Sequence, residues 1–473
     1  MATTGHIPDG LDGVEDLEHG ELEVTDLATG GTLTKMGVAG PEEAQEALDR
    51  AEQAQDQMRS STLVERAQWL ETLAEEIERR KDTLAEIIVR EAGKPIGSAR
   101  GEVDSAVERV ERAIEEVHNH QGEHLRGTTA GHEGWEAIVT PEPIGTVLCL
   151  SPYNYPLVTT LLQVAPAIAA GNSVVLKPST KTPVSAAILA DCLAETEMPE
   201  DAFQYVPGHS SDIGEVLIEN DQIDAIALTG SSSVGKRIAR DSGMVELHME
   251  LGGNAPALVF PDADMDAAAG DCMAGSLKYG GQRCSAVSRV LAHEEVHDEL
   301  VDRIDAKMDD WVVGDLFDEE TNMGPLIDES QAEWVETLVD DAVARGADLV
   351  RGGERDGAYF EPTLLANVPK DARIIHEEQF GPVVAVTTFA DDDEALEIAN
   401  ADEYGLDASV FTADHDRAMH LAHEIQAGAV RINGRPSHGI GDIPFGGVDD
   451  SGIGREGIGH TIEAFTQTKS IIL

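Results

Sequence analysis

A cysteine and a glutamate in this sequence are of the types, and at the spacing, that covalent catalysis needs. Cys284 lies in the glycine-rich stretch GGQRCSA (280–286), and a cysteine thiolate is a strong nucleophile. Arg283 beside it would favour the thiolate through its positive charge. Glu250 lies 34 residues upstream, where an apolar stretch leads into MELGGN (249–254). A carboxylate at the end of a strand in a parallel sheet points into the crevice where ligands bind.

Asn154 could supply the third function, stabilisation of an oxyanion. It lies in SPYNYP (151–156), between Pro152 and Pro156, directly after a predicted buried strand. The prolines stiffen the backbone, and a side-chain amide held in this way can donate to a developing negative charge. Each residue also has a structural explanation when it is taken alone: a packed cysteine, a core ion pair and an ordinary loop asparagine.

Two further matches to known motifs are incomplete. GSSSVGK (230–236) resembles a phosphate-binding loop, but Arg237 stands where Ser or Thr must hold magnesium. The stretch still opens a helix after a strand, so its backbone N–H groups could face a pyrophosphate. HEEVH (293–297) matches a zinc motif, yet His293 ends a predicted strand and the helix begins near Glu294. The two histidines would not share a helical face, and we predict no metal.

The elements that must position these residues alternate in type along the chain. Apolar residues recur at helical spacing from Pro41 to about His118. From Ile144 onward, short apolar strands alternate with helices, and the helix after Thr182 begins with Pro183. The predicted strands cover 145–151, 173–178, 202–208, 223–230 and 245–253, a second alternating block runs from 255 to about 433, and FTQTKSIIL at the end is a strand. This alternation predicts an α/β protein with parallel sheets covered by helices.

The composition predicts an acidic, folded protein of two or three domains. The 473 residues include 41% hydrophobic residues, and 90 acidic against 33 basic residues give a net charge of −57. The acidic excess is spread along the whole chain, which predicts a charged shell around an ordinary core and a salt-accumulating, halophilic source. Nucleic acid and anionic membranes are excluded as partners by this charge.

The cysteines and the apolar runs predict a cytoplasmic protein. Cys149, Cys192, Cys272 and Cys284 lack the clustered spacing of a disulfide framework or a zinc ribbon. No run approaches 18 apolar residues, and the first residues lack the basic and apolar regions of a signal peptide.

Seven stretches, in order along nearly the whole chain, resemble the aldehyde dehydrogenase superfamily. They are SPYNYPL (151–157), GNSVVLKPS (171–179), LTGSSSVG (228–235), MELGGN (249–254), GQRCSA (281–286), EEQFGPVV (377–384) and PFGGVDDSGIGREG (444–457). The resemblance implies a Rossmann-like cofactor domain (1–122 and 143–252), an α/β catalytic domain (253–433) and a β oligomerisation arm (123–142 and 455–473). It also implies a homo-oligomer, a dimer or a tetramer.

The resemblance implies a chemistry that agrees with the residue types. Cys284 attacks an aldehyde, the Asn154 amide and the Cys284 N–H hold the oxyanion, hydride passes to a nicotinamide, and Glu250 activates water to hydrolyse the thioester. The implied cofactor-binding residues are Lys177 and Glu378 at the riboses, Ser231 at the pyrophosphate, Phe380 at the nicotinamide, and Ser179, Thr180, Gly230 and Val234 around them. Because Thr180 is neutral where NAD-specific relatives often carry glutamate, we expect NADP, with NAD as the alternative.

The residues around the nucleophile resemble the non-phosphorylating glyceraldehyde-3-phosphate dehydrogenase branch. Arg283 precedes the cysteine and Tyr155 follows the oxyanion asparagine, and the branch places further arginines where Arg112 and Arg435 stand. A phosphate calls for such forked donors. The alternative for Arg112 and Arg435 is a surface ion pair, and Arg109 lies one helical turn from Arg112.

Other substrates and other classes of function remain open at this stage. Lactaldehyde, succinic semialdehyde and 2-oxoglutarate semialdehyde would also attract an arginine or fit a small pocket. A non-catalytic protein of the same fold would be expected to lose the cysteine, glutamate or asparagine, and a CoA-dependent member would often lack Glu250. All three residues are present, which favours an enzyme that hydrolyses its thioester.

Overall fold

A computed structural model describes residues 20–437, 439 and 441–473. A strand hairpin and four helices come first: β1 (Gly20–Asp26), β2 (Gly31–Val38), α1 (Pro41–Ser60), α2 (Leu63–Arg79), α3 (Lys81–Ala92) and α4 (Ile96–Asn119). Thr62 and Glu65 form a reciprocal capping box at the start of α2, and Gly93 ends α3 in the left-handed conformation. The helical prediction for this region is confirmed. The residues before Gly20 lie outside the described part.

The first sheet has six strands, and its order explains how it can bind a cofactor. The strands are β5 (Thr146–Leu150), β6 (Ser173–Lys177), β7 (Phe203–Tyr205), β8 (Ala225–Thr229), β9 (Glu246–Glu250) and β19 (Gly452–Ile453), in the spatial order β19-β9-β8-β5-β6-β7. All pairs are parallel except β19 with β9. The strand order reverses at β5, which is the place where open α/β sheets bind ligands.

Four helices connect these strands: α5 (Val158–Ala170), α6 (Pro183–Ala194), α7 (Ser210–Ile218) and α8 (Ser232–Asp241). Helix α6 begins with Pro183, as predicted, but the Thr182 side chain makes no capping hydrogen bond. The buried carboxylate of Glu91 instead accepts from the backbone N–H groups of Val184 and Ser185, at 2.8 and 3.0 Å. A carboxylate from α3 therefore caps the helix that the proline starts.

The second sheet has seven strands in the order β12-β15-β16-β11-β10-β17-β18. They are β10 (Ala255–Val259), β11 (Val287–His293), β12 (Asp348–Arg351), β15 (Thr363–Ala366), β16 (Val383–Phe389), β17 (Asp407–Phe411) and β18 (Ala429–Ile432), and a small hairpin joins β13 (Arg355–Asp356) to β14 (Tyr359–Phe360). Only β12 pairs antiparallel within this sheet. The helices around it are α9 (Met265–Leu277), α10 (His297–Met308), α11 (Glu329–Arg345), α12 (Arg373–His376), α13 (Asp392–Ala399) and α14 (His415–Glu424).

The two histidines of the HEEVH stretch lie in different elements of the structure. His293 ends β11, as predicted, but α10 begins at His297 rather than near Glu294. The reason is a turn in which the His293 ring nitrogen Nδ1 accepts from the Glu295 N–H at 3.2 Å. Within the described residues, no group of three potential metal-ligating side chains is found.

A three-stranded sheet stands apart from the two larger ones. It contains β3 (Glu123–Arg126), β4 (Glu136–Pro143) and β20 (Thr466–Ile472), with β4 in the centre and both pairs antiparallel. The predicted C-terminal strand is thus confirmed, while α15 (Ile458–Ala464) packs on α4 and α5. Large apolar side chains are exposed on or next to this sheet: Leu125, Trp135, Ile138, Ile471, Ile472 and Leu473. Among the described helices, none has the length and apolar character to cross a membrane.

Candidate active site

A cavity of about 1190 Å³ opens where the two large sheets face each other. Its walls come from the carboxyl ends of β5, β6 and β8 on one side and from the loops before β11, β16 and β17 on the other. All eight residues that the sequence predicted for the cofactor line this cavity: Lys177, Ser179, Thr180, Gly230, Ser231, Val234, Glu378 and Phe380. Three of the predicted reaction or substrate residues line it as well: Asn154, Tyr155 and Cys284. The structure thus brings residues from distant parts of the chain to one cleft.

A sharp turn delivers Cys284 to this cleft. Tyr279, Gly280 and Gly281 all have positive φ angles, of 57°, 61° and 72°, a conformation that glycine adopts most easily. At Gly281 a Cβ atom would lie 2.0 Å from the Gly381 carbonyl oxygen, so no larger residue fits. Cys284 follows this turn and is the only one of the four free cysteines that is not fully buried. These properties suit a reactive thiol rather than a packing cysteine.

The oxyanion candidate Asn154 lies against the same turn. Its side-chain Nδ2 donates to the carbonyl oxygen of Gln282 at 2.9 Å, and its Oδ1 accepts from the Tyr155 N–H at 3.1 Å. A primary amide has two N–H donors, so one remains for an oxyanion while the other holds the side chain in place. The residue is buried, which preserves the strength of such a hydrogen bond.

The charges around Cys284 differ from the expectation drawn from its neighbour in sequence. Burial raises the pKa of the Cys284 thiol well above its ordinary value, and the carboxylates of Glu250 and Asp407 raise it further. Glu378 and Glu456 act in the same direction. The prediction that Arg283 favours the thiolate is therefore wrong for this form of the protein. Acidic groups dominate the field at the sulfur, because the arginine is adjacent along the chain but its side chain extends elsewhere.

Glu250 ends β9, as predicted, and is almost completely buried, with 2% of its surface exposed. Burial raises its pKa well above the ordinary value, and the carboxylates of Glu456 and Asp407 contribute in the same direction. Its Oε2 atom has no hydrogen-bond partner among the described residues. The adjoining Gly253 approaches Cys284 so closely that a Cβ atom there would lie 2.4 Å from the Cys284 carbonyl oxygen. A buried carboxyl group with a raised pKa thus lies beside the turn that carries Cys284, as a candidate general base would.

Sequence reasoning missed Glu456, the buried carboxyl group that acts on Glu250. Burial raises the pKa of Glu456 to about 7, and the guanidinium of Arg109 opposes that rise. The signal lay within PFGGVDDSGIGREG (444–457), where a charged pair stands among glycines. The backbone of Glu456 pairs with that of Phe445 in an isolated β-bridge. This bridge fixes the position of the Glu456 carboxyl group.

Tyr155 marks the side of the site where a substrate would bind. Burial raises the pKa of its hydroxyl to about 12, whereas the nearby positive charges of Arg283 and Arg109 lower it. The Cys284 thiol also acts on it, so this hydroxyl is within electrostatic range of the nucleophile and of two cations. Arg283 donates from Nη2 to the Gly275 carbonyl oxygen at 2.5 Å, and its buried Nε has no partner among the described residues.

The structure favours Arg109 over Arg112 as the arginine that α4 contributes. Arg112 forms ion pairs with Glu115 and Glu116 on its own helix, at 2.8 and 2.6 Å, which matches the surface ion pair named as its alternative. Arg109 is held among the charges of the site, and burial lowers its pKa. A difference of three residues turns a helical side chain by nearly one full turn, so the sequence alone could not separate the two.

Arg435 lies near the site and close to an acidic residue. Its Nη1 is 3.7 Å from the Asp271 carboxylate, and its side chain is 42% exposed. Its Cβ is 3.6 Å from where a Gly275 Cβ would be. It therefore lies beside the carbonyl group that Arg283 contacts. Of its close neighbours along the chain, residues 438 and 440 lie outside the described part.

The predicted cofactor residues have the properties that a dinucleotide requires. Lys177 ends β6, and burial lowers its pKa to about 8. Its ammonium has only the Pro178 carbonyl oxygen, at 3.3 Å, as a partner among the described residues. Ser231 precedes the first turn of α8, whose first N–H groups are suited to an anion, and it lines the cleft together with Gly230. The Gly230 N–H itself donates to the Glu250 carbonyl oxygen at 3.0 Å. Phe380 has a φ of +47°, strained for a bulky residue, as is common at functional sites.

A buried ion pair that the sequence did not reveal supports the oxyanion loop. Lys94 and Glu102 pair in the core, and the Lys94 ammonium lies 3.4 Å from the centre of the Tyr155 ring. The other oxygen of Glu102 accepts from the N–H groups of Leu157 and Val158, at 3.1 and 3.3 Å. This pair therefore anchors the start of α5, directly after the loop that carries Asn154 and Tyr155.

A cysteine nucleophile, an amide donor and a buried carboxyl base beside a dinucleotide cleft define a nicotinamide-dependent dehydrogenase that acts through a covalent acyl intermediate. The family model described as "Aldehyde dehydrogenase family" matches residues 14–471, and the chain belongs to that family. It is an aldehyde-oxidising oxidoreductase.

Relatives and solved structures agree with this assignment over nearly the full length. The chain is 36% identical to an NADP-dependent glyceraldehyde-3-phosphate dehydrogenase of Streptococcus equinus, covering 98% of this chain and 97% of the relative. It is 34% identical to a lactaldehyde dehydrogenase of Methanocaldococcus jannaschii, covering 93% and 95%. The crystal structure of the NADP-dependent glyceraldehyde-3-phosphate dehydrogenase of Bacillus halodurans C-125, complexed with NADP, superposes with a TM-score of 0.94 at 35% identity, covering 96% of both chains.

Proposed function

We propose that the protein oxidises glyceraldehyde 3-phosphate to 3-phosphoglycerate with NADP. The observation that carries the proposal is the surroundings of the Tyr155 hydroxyl, whose pKa is lowered by the positive charges of Arg283 and Arg109 and is also affected by the Cys284 thiol. In a chain with a net charge of −57, two arginines that act on a tyrosine of the Cys284 cleft indicate an anionic substrate. The relative from Streptococcus equinus that acts on this aldehyde supports the assignment.

The residues of the site account for each chemical step. Cys284, once it has lost its proton, adds as a thiolate to the aldehyde carbon, and the Asn154 amide with the Cys284 backbone N–H stabilises the oxyanion that forms. A bound nicotinamide supplies the hydride acceptor, and loss of hydride from the tetrahedral carbon leaves a thioester on Cys284. Glu250 then removes a proton from water, whose oxygen attacks the thioester carbonyl and releases the acid and the free thiol.

NADP is proposed as the cofactor because a cation and a neutral residue line the cleft where the family resemblance places the adenosine ribose. Lys177 and Thr180 both line that part of the cavity. The Lys177 ammonium, which lacks a carboxylate partner among the described residues, is available to a phosphate. NAD would fit the same cleft with fewer contacts.

A steady-state comparison of substrates tests the proposal. Glyceraldehyde 3-phosphate, glyceraldehyde, lactaldehyde and succinic semialdehyde would be compared as kcat/KM with NADP and with NAD, in molar KCl. We expect the phosphorylated aldehyde to exceed glyceraldehyde by about 100-fold, because charge-assisted hydrogen bonds to the phosphate are lost with the neutral analogue. Equal values for the two aldehydes would refute the phosphate specificity.

Lactaldehyde oxidation is the second candidate function. Arg112 and Arg435 both lie close to carboxylates, which leaves a less cationic pocket than the sequence suggested. The relative from Methanocaldococcus jannaschii acts on lactaldehyde. In this case lactaldehyde would give the highest kcat/KM in the same comparison.

The three-stranded sheet is proposed as an oligomerisation arm, with residues 123–142 and 455–473 contributing to it and the two large sheets forming a cofactor domain and a catalytic domain. Its exposed apolar side chains and the free edges of β3 and β20 would pair with a second copy of the chain. Light scattering in molar KCl would distinguish a dimer or tetramer from a monomer. We further propose a salt-rich cytoplasm as its setting, because only high salt screens so many carboxylates.

A further inference from the structure

One lysine beside the nucleophile's turn has no assigned role. Lys278 follows α9 and begins the turn that leads to Cys284. Asp271, Gly275 and Lys278 are spaced at four and three residues, so they follow one side of α9 and its end. Arg283 donates to the Gly275 carbonyl oxygen on that side, and the Arg435 side chain packs over the same glycine.

The lack of an acidic partner distinguishes Lys278 from almost every other lysine. Ten lysines occur in the chain against 90 acidic residues. Among the described residues, eight have a carboxylate within 4.0 Å: Lys35, Lys81, Lys94, Lys181, Lys236, Lys307, Lys370 and Lys469. The two that lack one are Lys177 and Lys278. Lys177 is the predicted cofactor ligand, so the other unpaired ammonium also stands out as a ligand for an anion.

The immediate neighbours of Lys278 are themselves cations. Partial burial lowers the pKa of its ammonium, and the positive charges of Arg283 and Arg435 lower it further. The Asp271 carboxylate, 3.7 Å from Arg435, offsets part of this positive charge, and an anion bound among the three cations would offset more of it. Lys278 is exposed, so an anion can reach it from solvent.

We propose that Lys278 is a substrate-specificity residue, and that its ammonium binds the terminal oxyanion of the aldehyde together with Arg283 and Arg435. This inference rests on the proposed function, because it assumes an anionic substrate. Lys278 would approach the phosphate from the start of the turn before Cys284, and Arg283 from the position next to Cys284. Arg435 would approach it from the loop after β18. Lysine adds a point charge to the forked donors of the arginines, so a tetrahedral phosphate could receive donors from several directions.

Three variants test the proposal. Lys278→Met removes the charge and keeps the length of the side chain, and Lys278→Arg restores a charge. Lys307→Met is the matched control, since Lys307 also packs on α9, near Gly270, but pairs with Asp266 at 3.0 Å. For each protein, kcat and KM would be measured with glyceraldehyde 3-phosphate and with glyceraldehyde. Inorganic phosphate would serve as an inhibitor of glyceraldehyde oxidation, at the lowest KCl concentration that keeps the protein folded.

We expect Lys278→Met to raise KM for glyceraldehyde 3-phosphate about tenfold and to weaken phosphate inhibition similarly, because one charge-assisted contact is lost. Values of kcat, and both constants for glyceraldehyde, should change less than about twofold. Lys278→Arg should recover most of the loss, and Lys307→Met should match the wild type. Unchanged phosphate inhibition, or equal losses with both aldehydes, would overturn the inference.

The same measurements separate this inference from the proposed function. A wild-type protein that prefers glyceraldehyde 3-phosphate, with a Lys278→Met variant that behaves identically, refutes only the role of Lys278. A wild-type protein without that preference, whose phosphate inhibition still depends on Lys278, refutes glyceraldehyde 3-phosphate as the substrate and retains the anion site.

Discussion

The carboxyl groups of Glu250 and Glu456 are both buried and interact, because the charge of Glu456 raises the pKa of Glu250. Both groups are buried, with 2% and 3% of their surfaces exposed. Two carboxylates that share a buried region cannot both ionise easily, so one holds a proton at a pH where an isolated carboxyl group would not. This relationship keeps the pKa of the proposed general base above its ordinary value, which makes the group a stronger base once it is ionised.

Glu456→Gln should therefore change the pH dependence of the reaction. Removing the charge of Glu456 removes a cause of the raised pKa of Glu250, so that pKa falls and Glu250 ionises at lower pH. The acidic limb of kcat against pH should move toward lower pH by about one unit. Glu463→Gln, at an exposed position on α15, is the control. An acidic limb that stays in place or moves toward higher pH would show that Glu456 does not act on the base.

The reactivity of Cys284 offers a second test, because the same carboxylate acts on the thiol. Glu250 raises the pKa of Cys284, so Glu250→Gln should increase the thiolate fraction. The rate of Cys284 alkylation by iodoacetamide at pH 8 should rise about threefold or more, and Glu250→Asp, which keeps the charge, should stay near the wild type. Peptide mass spectrometry can follow Cys284 alone, since the other three cysteines are buried. Faster alkylation of the aspartate variant as well would refute the electrostatic explanation.

Arg109 and Arg112 should differ strongly in their importance. Arg109→Ala and Arg283→Ala remove the cations beside Tyr155, so each should lower kcat/KM for glyceraldehyde 3-phosphate by about 100-fold and for glyceraldehyde by much less. Arg112→Ala breaks only ion pairs on the surface of α4 and should cost less than about threefold. A larger loss at Arg112 than at Arg109 would restore the original sequence interpretation.

The comparison of Arg109 with Arg112 also shows how far the sequence could lead. Residues at strand ends were predictable, because the alternation of strands and helices places Lys177 and Glu250 at the edge where a parallel sheet binds ligands. Arg109 and Glu456 were not predictable in this way. The position of Arg109 depends on the rotation of α4, and that of Glu456 depends on the path of a loop from a distant segment. The field at Cys284 was misjudged for the same reason: Arg283 is its neighbour in the chain, but the carboxylates that surround the sulfur come from four other segments.

The Lys94–Glu102 pair should matter for both stability and activity. Glu102→Gln would leave the buried Lys94 ammonium unpaired and weaken the contacts to the N–H groups of Leu157 and Val158. The free energy of unfolding should fall by about 3 kcal/mol or more, and kcat should fall because Asn154 is no longer held. The double variant Lys94→Met with Glu102→Gln should recover part of the stability, since no charge then remains buried. Chemical denaturation in molar KCl measures both effects, and a double variant less stable than Glu102→Gln alone would contradict this account.

Thr180 provides a test of the cofactor assignment that does not depend on the aldehyde. Thr180 lines the same cleft as Lys177, and a glutamate in its place would repel a 2′-phosphate while it could accept hydrogen bonds from the ribose hydroxyls of NAD. Thr180→Glu should raise KM for NADP by about tenfold or more and leave KM for NAD unchanged or lower. The Thr180→Gln variant carries a side chain of the same size as that of Thr180→Glu but without the negative charge. It should therefore keep the preference for NADP. Tryptophan fluorescence quenching on titration with each dinucleotide would report binding without turnover. Equal losses in the glutamate and glutamine variants would mean that space, and not charge, sets the choice at this position.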